Sequence, residues 1–187
     1  MDKLQTFVSL FDYAPLPMSY SPLDGDGRLL ASFWNQSWFE CFGYQPDAVQ
    51  GRTGDAFGLW PDMAFRADFL QAVGADGISK TETTLRSADG SLRTVIVSAR
   101  KMFADDTTLM VVSYEDVTEQ RELESARRQA ERTLRLFQEM VESSADAIMI
   151  IEDHRVIACN TAATRLYGMP RERLIGSHPA ELSPEYQ

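Results

Sequence analysis

Two histidines, His154 and His178, and two cysteines, Cys41 and Cys159, hold most of the chain's capacity for nucleophilic or soft-metal chemistry near neutral pH. Their number and spacing give neither a cysteine-rich zinc site nor a disulfide framework, so no metal ligand is assigned. The acidic pairs Asp24/Asp26 and Asp105/Asp106 fall in turn segments, where Asp is favoured because its carboxylate bonds nearby backbone amides. No Gly-rich phosphate loop or nucleophile elbow occurs, and no His stands beside a Ser or Cys in the first 115 residues. No catalytic residue is assigned, and the chain by itself is not expected to be an enzyme.

The charge balance excludes other classes. Among 187 residues, 18 are Lys or Arg and 28 Asp or Glu, for a formal charge of −10. Nucleic-acid binding starts from neutralising phosphates with basic side chains, so nucleic acid is a poor partner. The longest apolar run, around Ala147 to Ile151, is far below the roughly 20 residues needed to cross a bilayer. The first residues lack a basic segment followed by a long apolar one. A cytoplasmic location is expected.

The elements that would position any site follow from periodicity. Leu16 to Tyr20 and Leu29 to Phe33 are short strand candidates around the Asp24-Gly25-Asp26-Gly27 turn. A helix follows Asn35 through Trp38, Phe39 and Phe42 until Gly43, and Pro46 and Pro61 each mark a helix start. The second of these helices carries Met63, Ala67, Leu70 and Val73 on one face and ends at Gly74. Ile78 to Ser87, Leu92 to Phe103 and Thr107 to Tyr114 then alternate as extended chain, with turns at Asp89-Gly90 and Asp105-Asp106. The expected fold is α+β: a five-stranded antiparallel sheet with short helices on one face.

From Asp116 to Glu142 there is no Gly or Pro, and charges of both signs alternate. Glu124/Arg128, Arg127/Glu131 and Glu131/Arg135 stand four apart, as helix ion pairs do. Leu123, Ala126, Ala130, Thr133, Phe137 and Met140 recur at the three-and-four spacing of a coiled-coil seam. Asp116 and Glu119 have the spacing of a capping box at its start.

A repeat organises the whole. Asn35, Gly43 and Gly51 recur as Asn160, Gly168 and Gly176, each displaced by 125 residues. The Asn that opens a helix, the Gly43-Tyr44 step, the Gly51-Arg52 pair, the Asp89-Gly90 turn and the closing Asp116-Val117-Thr118-Glu119 together resemble the PAS family of sensory domains. The resemblance implies PAS domain 1 over residues 1–116, a signalling and coiled-coil linker helix over 117–142, and the first part of a second PAS domain over 143–187. It also implies a longer parent whose missing strands would cover the second copy, so that residues from about Ile148 onward should be poorly ordered or packed on another chain.

PAS cavities hold haem, flavins or small organic molecules, or stay empty. Haem held by His is disfavoured because the first copy has no His. Light-oxygen-voltage adduct chemistry is disfavoured because Gly54 stands where that subgroup has its reactive Cys. A non-covalent ligand, FAD or another small molecule, would meet Trp34, Asn35, Trp38 and Trp60, residues that equally suit core filling and helix capping. The resemblance makes Asp116 and Thr118 signal-coupling residues and places a homodimer seam at Leu123, Ala126, Ala130, Phe137 and Met140. It implies a sensor whose output domain is a diguanylate cyclase/phosphodiesterase or a histidine kinase, or else a ligandless interaction module.

Overall fold

The computed structural model of the protein describes residues 3–104 and 107–182, so the Asp105-Asp106 turn lies outside the described residues. The chain divides into two compact units between Leu123 and Glu124, a boundary that falls inside a helix.

Unit 1 opens with helix α1 (Lys3–Asp12), which the alternation pattern did not announce. A five-stranded antiparallel sheet follows, in the order β2-β1-β5-β4-β3. Its strands are β1 (Met18–Pro22), β2 (Phe33–Trp34), β3 (Ile78–Arg86), β4 (Leu92–Ala104) and β5 (Thr107–Asp116). Strand β2 is shorter than expected: Leu29 makes only an isolated bridge to Leu23. The Gln50 side chain substitutes for further pairing, accepting from Trp34 N at 2.9 Å and donating to Trp34 O at 3.0 Å.

Helices α2 (Gln36–Phe42), α3 (Pro46–Val49) and α4 (Met63–Asp76) bury one face of this sheet. Trp38, Phe42, Val49, Phe69 and Val73 pack on Leu85, Val95, Val97, Val112 and Tyr114. Helix α4 does not stop at Gly74 but runs to Gly77, whose left-handed φ of 70° closes it. A mid-helix Gly costs only about 1 kcal/mol, less than the burial of Phe69 and Val73 returns. Its cap is Asp62, one residue after Pro61.

Helix α5 (Thr118–Ser143) has no buried residue. Arg127–Glu131 and Arg128–Glu124 pair along it as the spacing predicts, whereas Arg135 turns to Glu139 instead of Glu131. In unit 2 the chain continues through strands β6 (Met149–Glu152) and β7 (Arg155–Cys159) and helices α6 (Thr161–Tyr167) and α7 (Arg171–Leu174). Residues 149–182 form a partial fold with a core of its own. Strands β6 and β7 pair, and Val156, Cys159, Ala163, Leu174 and Leu182 form a small core. The hairpin still leaves Ile150, Ile151 and Ile157 exposed.

Candidate functional site

Asn35 is fully buried and every hydrogen-bonding position of its amide is used. Its Oδ1 accepts from Met18 N (2.9 Å) and Trp38 N (3.0 Å). Its Nδ2 donates to Leu16 O (2.8 Å) and Phe11 O (3.1 Å). One side chain therefore caps α2 and ties it to β1 and to the end of α1.

Trp34 and Trp38 fill the core beside it, at 2% and 0% exposure. Their rings lie 4.1 Å apart, too close to admit another planar group, and Trp38 also stacks on Tyr44 at 5.5 Å. Among the described residues both indole Nε1 groups lack a partner. Trp60 is half-buried against Phe69. It lies so close to Gly54 that a Cβ there would meet its Nε1 and Leu59 Cδ2 at 3.0 Å, so a larger residue at 54 would have to displace those side chains.

Trp34 and Trp60 line a cavity of about 20 Å³ together with Ser19, Ser21, Ser32 and Tyr114. That volume suits a single water molecule, so a flavin ring system does not fit this packing. The hydroxyls pair across it, Ser19 with Tyr114 at 2.9 Å and Ser21 with Ser32 at 2.8 Å. Burial pushes the Tyr114 phenol well above its ordinary range. The sequence reading missed these groups. Strand β1 buries Ser19 and Ser21 and leaves Met18 and Tyr20 half-buried, the reverse of what side-chain polarity alone suggests.

At the far end of β5, Asp116 Oδ1 accepts from Thr118 N (3.0 Å) and Thr118 Oγ1 (2.6 Å), while Oδ2 accepts from Arg93 at 2.6 Å. Thr118 Oγ1 accepts from Thr94 N at 2.9 Å, and Val117 N donates to Thr94 O at 2.9 Å. Although burial works to raise it, the Asp116 carboxyl is held below its ordinary range by the Thr118 and Arg93 bonds. The expected capping box is not formed. Asp116 ends the strand and bonds the residue two ahead, and among the described residues Glu119 returns no bond to it. Arg121 instead reaches Glu82 of β3 at 2.5 Å, so both Arg121 and Thr118 fasten the start of α5 to the sheet.

Leu123, Ala126, Ala130, Phe137 and Met140 are all exposed on α5. Leu134 and Val141, which the strict seam passed over, share their side of the helix. With Phe137, Ile148 and Ile150 they line a groove of about 620 Å³ within unit 2.

Unit 2 reproduces the asparagine frame. Asn160 is fully buried, its Oδ1 accepting from Ile148 N and Ala163 N (both 2.9 Å) and its Nδ2 donating to Asp146 O (2.8 Å) and Val141 O (2.9 Å). Gly43 and Gly168 end the following helices at φ 75° and 63°. The Asn35 partners on its N-terminal side recur displaced by 130 residues, because the first hairpin is five residues longer. Val141 near the end of α5 thus has the role that Phe11 has near the end of α1. His154 and His178 stack at 6.1 Å in the same unit. Among the described residues no group of three His, Cys, Asp or Glu side chains gathers to hold a metal, and no helix is long and apolar enough to cross a membrane.

Residues 18–119 match the family described as PAS domain, and residues 135–187 match the family described as PAS fold. No curated protein matches the chain. The PAS domain of a protein from Colwellia psychrerythraea is 18% identical with a TM-score of 0.50, over 63% of this chain and 99% of that one. The PAS domain of the fruit-fly ELK potassium channel is 13% identical, again with a TM-score of 0.50 over 63% and 99%. An RNA-binding light-oxygen-voltage receptor is 17% identical with a TM-score of 0.53, over 73% of this chain and 38% of that one. At these identities the likeness is one of fold.

Proposed function

The chain belongs to the PAS domain family, and from that membership we propose that it is the sensory and dimerisation module of a cytosolic signalling protein whose output domain lies outside it. A change at the cavity of unit 1 moves the sheet, and the sheet moves α5. The observation that carries this reading is the junction of β5 with α5. Asp116, Val117 and Thr118 are bonded to Arg93 and Thr94 of the neighbouring strand and lead directly into the helix. Asp116 and Thr118 are the coupling residues, and the exposed Leu123, Ala126, Ala130, Phe137 and Met140 form the seam of a homodimer. The favoured output is a diguanylate cyclase/phosphodiesterase, with a histidine kinase as the alternative; Gly58-Leu59-Trp60 resembles PAS copies attached to both and does not separate them.

Output activity and thermal stability of the parent protein carrying Asp116→Ala test the coupling. Output is expected to change; altered stability with unaltered output sinks it. Light scattering tests the seam: the chain is expected to be a dimer and Phe137→Glu a monomer, and a dimer that survives this change lies elsewhere. A second reading, a ligandless interaction module, is favoured by the small inner cavity. Mass spectrometry of a denatured extract separates the two, since a sensor that copurifies with its ligand releases a small molecule.

A further inference from the structure

Arg66 stands at a partition in unit 1. An open cleft of about 600 Å³ and the inner cavity of about 20 Å³ share four lining residues, Leu29, Arg66, Leu70 and Met110. The Arg66 side chain is 16% exposed and donates through Nη2 to Asp55 at 2.6 Å. Among the described residues its other guanidinium N–H groups make no hydrogen bond.

Each hydroxyl pair, Ser19 with Tyr114 and Ser21 with Ser32, shares one hydrogen and keeps one further hydrogen beside three acceptor lone pairs, so neither pair needs an outside acceptor. Trp34 Nε1 is a donor without an acceptor, on a side chain that lines the same cavity and is 2% exposed. The cleft has Arg28, Arg66 and Lys101 against Asp26 and Asp55, a positive excess of one in a chain of charge −10. The remainder of its wall includes Leu23, Leu70 and Val73.

We propose that the cleft binds a small organic anion bearing one carboxylate on an apolar body. The carboxylate takes the unspent N–H groups of Arg66, and the body lies along the leucine wall. Asp55 is its competitor for the guanidinium, so ligand entry releases the Arg66–Asp55 pair. This assignment rests on the sensory reading above and names the ligand class for it.

Calorimetric titration of the whole chain with hexanoate and with its neutral amide, hexanamide, tests the assignment. Hexanoate is expected to bind at least about tenfold more tightly than the amide, the worth of a charge-assisted bond to a carboxylate. Arg66→Gln should remove that preference, and Asp55→Asn, which frees the guanidinium without emptying the wall, should tighten hexanoate severalfold. Equal affinity for acid and amide, a preference that survives Arg66→Gln, weaker hexanoate binding to Asp55→Asn, or no binding of either compound overturns the assignment. If Arg66→Gln fails to fold, the Asp55→Asn comparison still decides. None of these results bears on the β5–α5 junction or the dimer, whose tests decide the sensory reading separately.

Discussion

The two units set the same asparagine among different neighbours. In unit 1 Asn35 is flanked by Trp34 and Trp38, and α2 also buries Phe42; in unit 2 the residues that flank Asn160 in the same way are Cys159 and Ala163. The backbone hardly registers the exchange. Asn35 has φ −87° and ψ 171°, Asn160 has φ −88° and ψ 172°, and each caps the third residue after it. The frame is therefore set by hydrogen bonds that one amide makes to backbone, while the core beside it is free to be large or small. That independence explains how one scaffold can enclose a crowded aromatic core in one copy and a slight aliphatic one in the other.

The sharpest way to break this comparison is at the core. Trp38→Ala, which gives unit 1 the residue that unit 2 already has, should cost about 3–5 kcal/mol of unit 1 stability in urea unfolding followed by circular dichroism. A loss below about 1 kcal/mol would mean that the aromatic cluster is not packed as described. Asn35→Ala and Asn160→Ala come next. Each removes at least four side-chain hydrogen bonds to backbone groups, and each should destabilise its own unit by about 2–4 kcal/mol. A neutral Asn160→Ala beside a costly Asn35→Ala would show that the two frames are not equivalent.

Gly43→Ala and Gly168→Ala should cost about 1–2 kcal/mol apiece, the price of a left-handed L-residue. The two costs should agree, since the new methyl meets only Ala88 Cβ at 3.8 Å in one case and nothing within 4 Å in the other. The smallest effect is at acid pH. Asp116 in unit 1 and Glu142 in unit 2 both titrate below their ordinary range, Asp116 through Thr118 and Arg93 despite burial, Glu142 through Arg171 and Thr161. A carboxyl lowered on folding stabilises the fold above its unfolded-state pKa, and that contribution disappears as pH falls through the folded one. Unfolding midpoints should therefore fall as pH drops below about 4, and Asp116→Asn should flatten that decline. An unchanged slope would remove Asp116 as a source of it.

Long alternating segments and turn glycines made the sheet legible in the sequence, and the repeated Asn and Gly positions made the frames legible. What stayed hidden was polar and inward. Ser19, Ser21 and Ser32 gave no sequence signal, because a serine is informative only once its partner is known, and their partners lie in distant parts of the chain or across a loop. Arg66 gave none either; only the fold sets it between cleft and cavity. Strand β2 was overdrawn because pairing by the Gln50 side chain leaves no periodic trace. Glu119 satisfied the spacing of a capping box, but Arg93 and Thr118 already occupy Asp116. Helix α1 was missed although Asn35 needs the Phe11 carbonyl at its end.

All three tryptophans, Trp34, Trp38 and Trp60, belong to unit 1. Indole emission consequently reports on one copy while the other is silent, and the two caged indoles should emit to the blue of a solvated one. A single chain thus contains its own optical label, by which the melting of its two halves can be resolved without attaching a dye.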